Sequence, residues 1–511
     1  MAGFAGSALA ADESSASQTK PRPSITALRV EQPPVIDGVL DDAAWQKAPA
    51  GGDFVQDEPG DGVPMTERTE FRVLYDARAL YIGIWCYDSE PEKILARGMT
   101  RDDFPMEDDY IYIAIDTFLD RRNGYNFTIN PNGLRYDALI NNNSHSSSNW
   151  DAIWECKSQI SDKGWFSEIA IPFDSIAFNP GNSTWGFNIA RTIRRKNERG
   201  RWHSEGRHLR TSAMANAGEI RGLEGLGNIT KWEFLPYGMG KYRHNNNTGD
   251  EKTLGDFGGD LSYRLAPNLN ASLSVNTDFA ETEVDDQISN FDRVPLFFPE
   301  KREFFLEGAG IFEFGIVRGE RRAQVKLYHS RRIGLSDDGE EISMLGGVKL
   351  TGRVGEKFTV GFLNAQTDDF GFFNTQINDF EVRPGNNFTV FRLKRDILAR
   401  SNLGFFFTNR QAEGGDYNRV VGFDQNLTLL EHLQLTGLIG SSFTDGIDDD
   451  QMIGIGAISW KDDLFDAGFS YTLLQENFDS DLGFIERKGT RKIEPRFAYT
   501  PRPESDLIRR F

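Results

Sequence analysis

No run of about 18 apolar residues occurs anywhere in this 511-residue chain, so a transmembrane helix is excluded. Cysteine is nearly absent, with Cys86 and Cys156 the only two. No CxxC pair and no Cys/His cluster exists, which argues against a zinc site. The two thiols either pair, as a periplasmic or surface compartment permits, or lie buried and apart. Positive charge is in deficit. With 57 Lys and Arg against 77 Asp and Glu, the formal charge is −20, and a chain of that sign is not built to hold nucleic acid. Motifs for bond-breaking chemistry are missing too: there is no GxSxG, no HExxH, no P-loop and no GxGxxG between a strand and a helix. Acidic residues abound, but no pair is marked out for glycoside hydrolysis by its context.

What is present is alternation. From Trp232 to Tyr499 the chain repeats runs of alternating apolar and polar residues separated by polar or glycine turns, as in Asn268–Asp278, Gly346–Gly352, Phe358–Thr367 and Leu433–Ser442. A period of two gives each strand one apolar and one polar face. Strands of about 9–11 residues at intervals of about a dozen are what a tilted membrane-spanning strand requires. A mean hydropathy of −0.48 fits, because such strands hide half their residues from the average. The chain carries 39 Phe, and many sit at strand ends, where an interfacial girdle belongs. The pattern predicts an antiparallel transmembrane β-barrel over 229–511 with a dozen or more strands. Pro501 and Pro503 near the C-terminus read as a turn, so the barrel is expected to be incomplete, lacking later strands. The stretch 279–314 is not a simple spanning strand. Pro295 and Pro299 interrupt a ladder, and the charges Glu300, Lys301, Arg302, Glu303 and Glu307 cannot face lipid. It is expected along the rim or inside the lumen.

The first part reads differently. Residues 1–24 are a tail, Ser/Pro-rich beyond Asp12, in which Ala8-Leu9-Ala10 fits a signal-peptidase site, so export by a signal peptide is expected. Residues 25–228 show short strands with polar turns, the pattern of a β-sandwich. Weak helical signals occur only at Leu40–Lys47 and Phe173–Ile176. The basic run Arg191–Arg201 reads as the exposed turn of a hairpin, with anion binding as the alternative.

Several segments of this region resemble family-nine carbohydrate-binding modules. They are Pro34–Gly38 with Leu40, Asp41 and Trp45, then Val73–Asp88, Asp108–Asp116, Phe127–Gly133, Gly164–Phe173, Trp185–Asn188 and Gly225–Ile229. The resemblance implies a β-sandwich, sugar binding and a structural calcium ion. Met106, Tyr112 and Thr128 stand where sugar-binding members carry Trp, an acidic residue and Arg. A replacement site is therefore sought at Trp150, Trp154 and Trp202 with Asn130 and Arg135 beside them, since a sugar clamp needs flat aromatic faces and groups for the hydroxyls. Asp108 and Asp109, in an acidic cluster with Asp102, Asp103 and Glu107, are the candidate calcium ligands. Phe297–Arg302, Phe304–Gly308 and Ser330–Gly334 resemble an uncharacterised domain, predicted to be an outer-membrane β-barrel, that commonly follows a family-nine module.

The expectation is an all-β protein of the outer membrane of a Gram-negative bacterium that captures or passes a glycan or polysaccharide. Its partners are that glycan and outer-membrane lipid. A membrane-associated hydrolase of glycosidic bonds is the first alternative. An anchor or export protein with an envelope protein partner is the second.

Overall fold

The computed structural model describes residues 22–501, apart from 142, 144, 148–149, 205, 207–209, 227–231, 245–250, 267, 278–296, 298–299, 315–324, 336–341, 356, 375–378, 399–400 and 431. The signal-peptidase triplet, Pro295, Pro299 and the C-terminal ten residues lie outside the described part.

Alternating side chains build two facing sheets over residues 24–221. One runs in the order β1 (Ser24–Thr26), β14 (Gly218–Arg221), β12 (Thr184–Ile193), β6 (Tyr110–Asp116), β7 (Gly124–Ile129), β8 (Arg135–Asn141) and β9 (His145–Ser147). Two further strands, β13 (Glu198–Arg201) and β3 (Val55–Glu58), attach at β12. The other sheet runs β10 (Glu155–Ser161), β11 (Gly164–Pro172), β5 (Ala79–Tyr87), β4 (Thr69–Tyr75) and β2 (Leu28–Arg29). The apolar sets of the two sheets meet in one core, to which β6 gives Ile111, Ile113 and Ile115 and β5 gives Ile82 and Ile84. Burying each such side chain contributes about 1.5–3 kcal/mol.

The expected β-sandwich is therefore present, and its opening stretch has a physical task. The Glu168 carboxylate accepts hydrogen bonds from Trp45 Nε1 (2.8 Å), Gly38 N (2.9 Å) and Asp37 N (3.0 Å). One buried side chain of β11 thus pins the Pro34–Gly38 stretch and the helical turn Ala43–Lys47 to the sheet. Gly164 is required where β11 begins: its φ is +133°, and a Cβ would stand 2.1 Å from the Cys86 carbonyl oxygen. Cys86 and Cys156 are both buried and unlinked. They sit on β5 and β10, on opposite sides of β11, opposite Trp165 and Ile169 respectively. Two strand spacings plus four residues exceed any disulfide's reach. Burial pushes both thiols up to about 12.

The basic run forms the β12–β13 hairpin, but its ends are not exposed. Arg191 and Arg201 are fully buried. Arg201 donates from Nε to both Asp57 oxygens at 2.8 and 2.7 Å. At the turn, Arg195 pairs with Asp88, Glu67 and Glu90, and Lys196 pairs with Glu67. The run neutralises the sandwich's own carboxylates, which argues against a free anion site there.

Twelve strands then follow one another in a single antiparallel sheet. They are β15 (Trp232–His244), β16 (Glu251–Ala266), β17 (Leu269–Thr277), β19 (Met344–Val354), β20 (Phe358–Thr367), β23 (Asn386–Ile397), β24 (Ser401–Ala412), β25 (Tyr417–Leu429), β26 (Leu433–Thr444), β27 (Met452–Lys461), β28 (Phe465–Leu474) and β30 (Thr490–Tyr499). Four short strands lie between them: β18 (Val325–Lys326) pairs with β29 (Phe484–Ile485), and β21 (Phe370–Asn374) pairs with β22 (Asp379–Arg383). Among the described residues β15 and β30 are not paired with each other, so the sheet has two edges rather than a closed ring.

Register aligns the apolar positions on one face, with Leu350 opposite Phe362 and Phe405, Phe423 and Ile439 in one row. Exposure of Phe423 reaches 60% and of Ile439 56%. The other face carries Ser272, Ser274, Lys349, Thr408 and the ion pair Arg392–Asp424. Residues 300–314 pack onto that polar face. Phe304 lies over Gly347 and Phe312 over Gly361, where a Cβ would crowd the rings. Phe314 stacks on Phe406 with centroids 4.6 Å apart. Lys349 Nζ donates to the carbonyls of Phe304 and Glu307. The described part of the segment expected along the rim or in the lumen is thus ordered against the sheet's polar face.

Candidate functional site

The sheet face turned away from the sandwich core gathers aromatic and polar side chains. In β6, alternation sends Ile111, Ile113 and Ile115 inward and leaves Tyr110, Tyr112, Ala114 and Asp116 outward. Cross-strand register then places Thr192 beside Tyr110, and Tyr112, Thr128 and Tyr136 in one row across β6, β7 and β8. Half of this face is covered: Met214 and Ala217 pack on Ala114 and Ile140. The other half carries half-buried rings, with Thr128 and Thr192 buried among them. There Phe104 meets Tyr110 and Tyr136 edge-on, with centroids 5.3 and 5.1 Å apart. The Arg194 guanidinium sits 5.9 Å from the centre of the Tyr110 ring. The Thr192 hydroxyl is buried without a hydrogen-bond partner among the described residues. Half-buried aromatic rings with a cation beside them are elements that hold a ring-shaped, hydroxyl-rich ligand.

The sequence-predicted platform divides differently. Trp154 is 1% exposed, packs against Phe127 and donates from Nε1 to Asp137 at 2.7 Å. It is a core residue and offers no ring face to a ligand, because its indole N–H is the partner a buried carboxylate needs. Trp150 lies half-buried against Tyr125, centroids 4.8 Å apart. Trp202 packs edge-on against Phe71 and Phe187, with no ring contact to the other two. Arg135 donates to the Trp154 carbonyl and stands over its ring. Asn130 is fully buried and ties a loop: it donates to Gly98 O and Asp108 and accepts from the backbone N–H of Asn132 and Leu134. These five residues do not converge on one open surface. Tyr110 and Tyr136, which do, were legible only through the alternation in Tyr110–Asp116 and Arg135–Asn141, which puts each on the outer face.

The two candidate calcium ligands face different neighbours. Asp108 accepts from Arg97 N and Gly98 N at 2.8 Å each and from Asn130 Nδ2, so both its oxygens already hold a loop. Asp109 accepts from Arg194 N at 2.8 Å. Asp102, Asp137 and Asp151 bring carboxylate oxygens within 4.8 Å of one another. Arg101 pairs with all three, so the cluster carries its own counter-charge.

Burial raises Asp102 and Glu168 above the usual carboxylate range, Asp109 and Asp137 to about 6, and Asp116, with Asp120 adding to the effect, to about 7. Glu67 goes the other way. Burial opposes the shift, but Lys196 and Ser89 hold it down at about 2. The raised acids bind protons more tightly folded than unfolded, so they favour the fold below their unfolded value of about 4 and that contribution is lost as pH rises through 6 to 7. The contribution of Glu67 is fully present above its unfolded value and falls away only towards pH 2. The sandwich's melting temperature is therefore expected to drop by about 5 °C between pH 5 and pH 8. Tryptophan fluorescence melts follow this, and Asp137→Asn should flatten the dependence.

Residues 36–205 match the family described as Carbohydrate family 9 binding domain-like. Residues 229–507, more than half of the chain, match the family described as Domain of unknown function (DUF5916). Among solved structures, the chain is similar to a family 9 carbohydrate binding module from Caldicellulosiruptor kristjanssonii in complex with glucose, at 17% identity and a TM-score of 0.31, covering 40% of this chain and 99% of that one. The cellotriose complex of such a module from the same organism gives 17% identity and a TM-score of 0.30, covering 41% and 95%. No curated protein matches.

Proposed function

The chain belongs to the family described as Domain of unknown function (DUF5916), and from that premise we propose that it is a carbohydrate-binding protein of the bacterial outer membrane. The twelve-stranded sheet sits in lipid with its apolar face outward. The sandwich binds a glycan on the aromatic half of its β12–β6–β7–β8 face. For the membrane, support comes from the alternation of exposed Leu, Ile and Phe on one face with Lys, Arg, Asp and Ser on the other. For the glycan, the single observation that carries the reading is the cluster of Phe104, Tyr110 and Tyr136 beside Arg194, in a domain matching a carbohydrate-binding family.

Capture fits the chemistry better than hydrolysis. Three buried carboxylates of the sandwich are already committed: Asp57 to Arg201, Asp137 to Trp154 and Glu168 to Trp45. A glycosidase keeps two carboxyls free across its cleft. The test is calorimetric titration of the full chain in detergent with an oligosaccharide panel. Tyr110→Ala and Tyr136→Ala are each expected to weaken binding at least tenfold, about 1.4 kcal/mol, with melting temperature little changed. Trp150→Ala serves as the comparison. Loss of binding in Trp150→Ala but not in Tyr110→Ala would move the site, and flat titrations across the panel would remove it.

A further inference from the structure

We infer that the sandwich is fixed to the periplasmic rim of the membrane sheet, so that its glycan is one met on the inner side of the outer membrane. This rests on the membrane reading above and adds the side, which neither family match supplies.

The two rims of the sheet differ. At one, the connections β16–β17, β19–β20, β23–β24, β25–β26 and β27–β28 are only two or three residues long. At the other, the chain makes its long excursions, between β17 and β19, between β20 and β23 with the β21–β22 hairpin, and between β28 and β30. Outer-membrane barrels keep short turns in the periplasm and long loops outside. The sandwich joins the short-turn rim twice over. Trp232, the first residue of β15, pairs with Tyr263 close to the β16–β17 turn, so the chain leaves the sandwich on that side. The loop between β6 and β7 then docks onto the same rim. Arg122 donates to Asp396 at 2.5 Å and to the Ser401 carbonyl at 2.8 Å, at the end of β23 and the start of β24. Arg353, at the end of β19, donates to Asp120 at 3.0 Å and Asp396 at 2.9 Å.

Two arginines and two aspartates therefore alternate across the junction, one of each from either domain. Arg122 is 4% exposed, so this junction excludes water where a surface ion pair would not. The binding face stays free. Tyr110 is at the far end of β6 from Asp116, about 20 Å from the docked loop at about 3.3 Å per residue.

The test uses the full chain in cells, with single cysteines added to a protein whose own two are buried. Gly414→Cys marks the β24–β25 loop at the long-loop rim, and Lys163→Cys marks an exposed sandwich turn. A membrane-impermeant maleimide is expected to label Gly414→Cys on intact cells. Lys163→Cys should label at least tenfold more slowly until the outer membrane is permeabilised. Equal labelling of both on intact cells, with the protein in the outer-membrane fraction, overturns the assigned side and leaves the membrane reading standing. Absence of the protein from that fraction overturns both. As a second measurement, Arg122→Ala combined with Arg353→Ala should speed tryptic cleavage between the domains at least tenfold, and unchanged cleavage would mean the sandwich is not docked.

Discussion

Arginine in place of Ile439 is expected to destabilise the assembled protein by about 2–4 kcal/mol and to cut its recovery in the outer-membrane fraction several-fold. Ile439 is mid-way along β26 and opposite Phe423, and its side chain is more than half exposed. In water, a substitution at such a position costs within about 0.5 kcal/mol. In lipid, the same charge sits near the hydrocarbon midplane without a partner. One variant therefore separates a lipid-facing sheet from a hydrated one. Ile153→Arg, at an exposed position of the sandwich, is the control and is expected to be neutral. Urea unfolding in lipid vesicles gives the number. If Ile439→Arg is as mild as Ile153→Arg, the membrane assignment fails, and the capture role at the cell envelope goes with it.

The second large effect is expected inside the sheet. Arg302→Met should cost about 3–5 kcal/mol, because it leaves Glu300 buried with no counter-charge. Arg302 donates to Glu300 at 2.8 and 2.9 Å and to the carbonyls of Ile333 and Ser330 at 2.9 Å each, and its guanidinium lies 4.2 Å from the Phe305 ring centre. This single side chain ties residues 300–306 to residues 330–333 within the inner packing. The double variant Glu300→Gln with Arg302→Met is expected to regain a substantial part of the loss, since it removes the stranded charge as well as its partner. Melting in detergent micelles measures both. A single variant within 1 kcal/mol of the parent would show that this pair does not hold the segment in place.

The order of the inner segment bears on function. Phe304, Phe312 and Phe314 occupy the polar side of the sheet, and the Ser480 hydroxyl donates to the Leu327 carbonyl at 2.7 Å, joining the β28–β30 excursion to the same packing. In the proposed membrane sheet, packing of this kind is expected to hinder passage of polymers. Capture at the sandwich is thus the better-supported half of the proposal.

Legibility followed the range of the interaction. Strand Phe358–Thr367 was readable to the residue because alternation is visible within ten positions. The helical signal at Leu40–Lys47 shrank to one turn at Ala43–Lys47, since what holds Trp45 is a carboxylate on β11, far along the chain. The tryptophans misled for a related reason. Trp154 stands in a polar-looking stretch, yet the buried Asp137 that accepts its N–H is on β8, in the opposite sheet from the β10 strand that follows Trp154. Arg191 and Arg201 looked solvated within a basic run, and their burial depends on Asp88 and Asp57, each more than a hundred residues away.

Periodicity, composition and missing motifs were enough, by themselves, to establish an all-β chain in two parts, the second with one greasy and one polar face. Those properties are local, and each strand carries them independently. Folding in three dimensions decided the rest: which aromatic rings remain open, which carboxylates are already occupied, and which rim of the sheet receives the sandwich. Such outcomes depend on pairings between residues such as Arg122 and Asp396, and no window along the chain contains both partners.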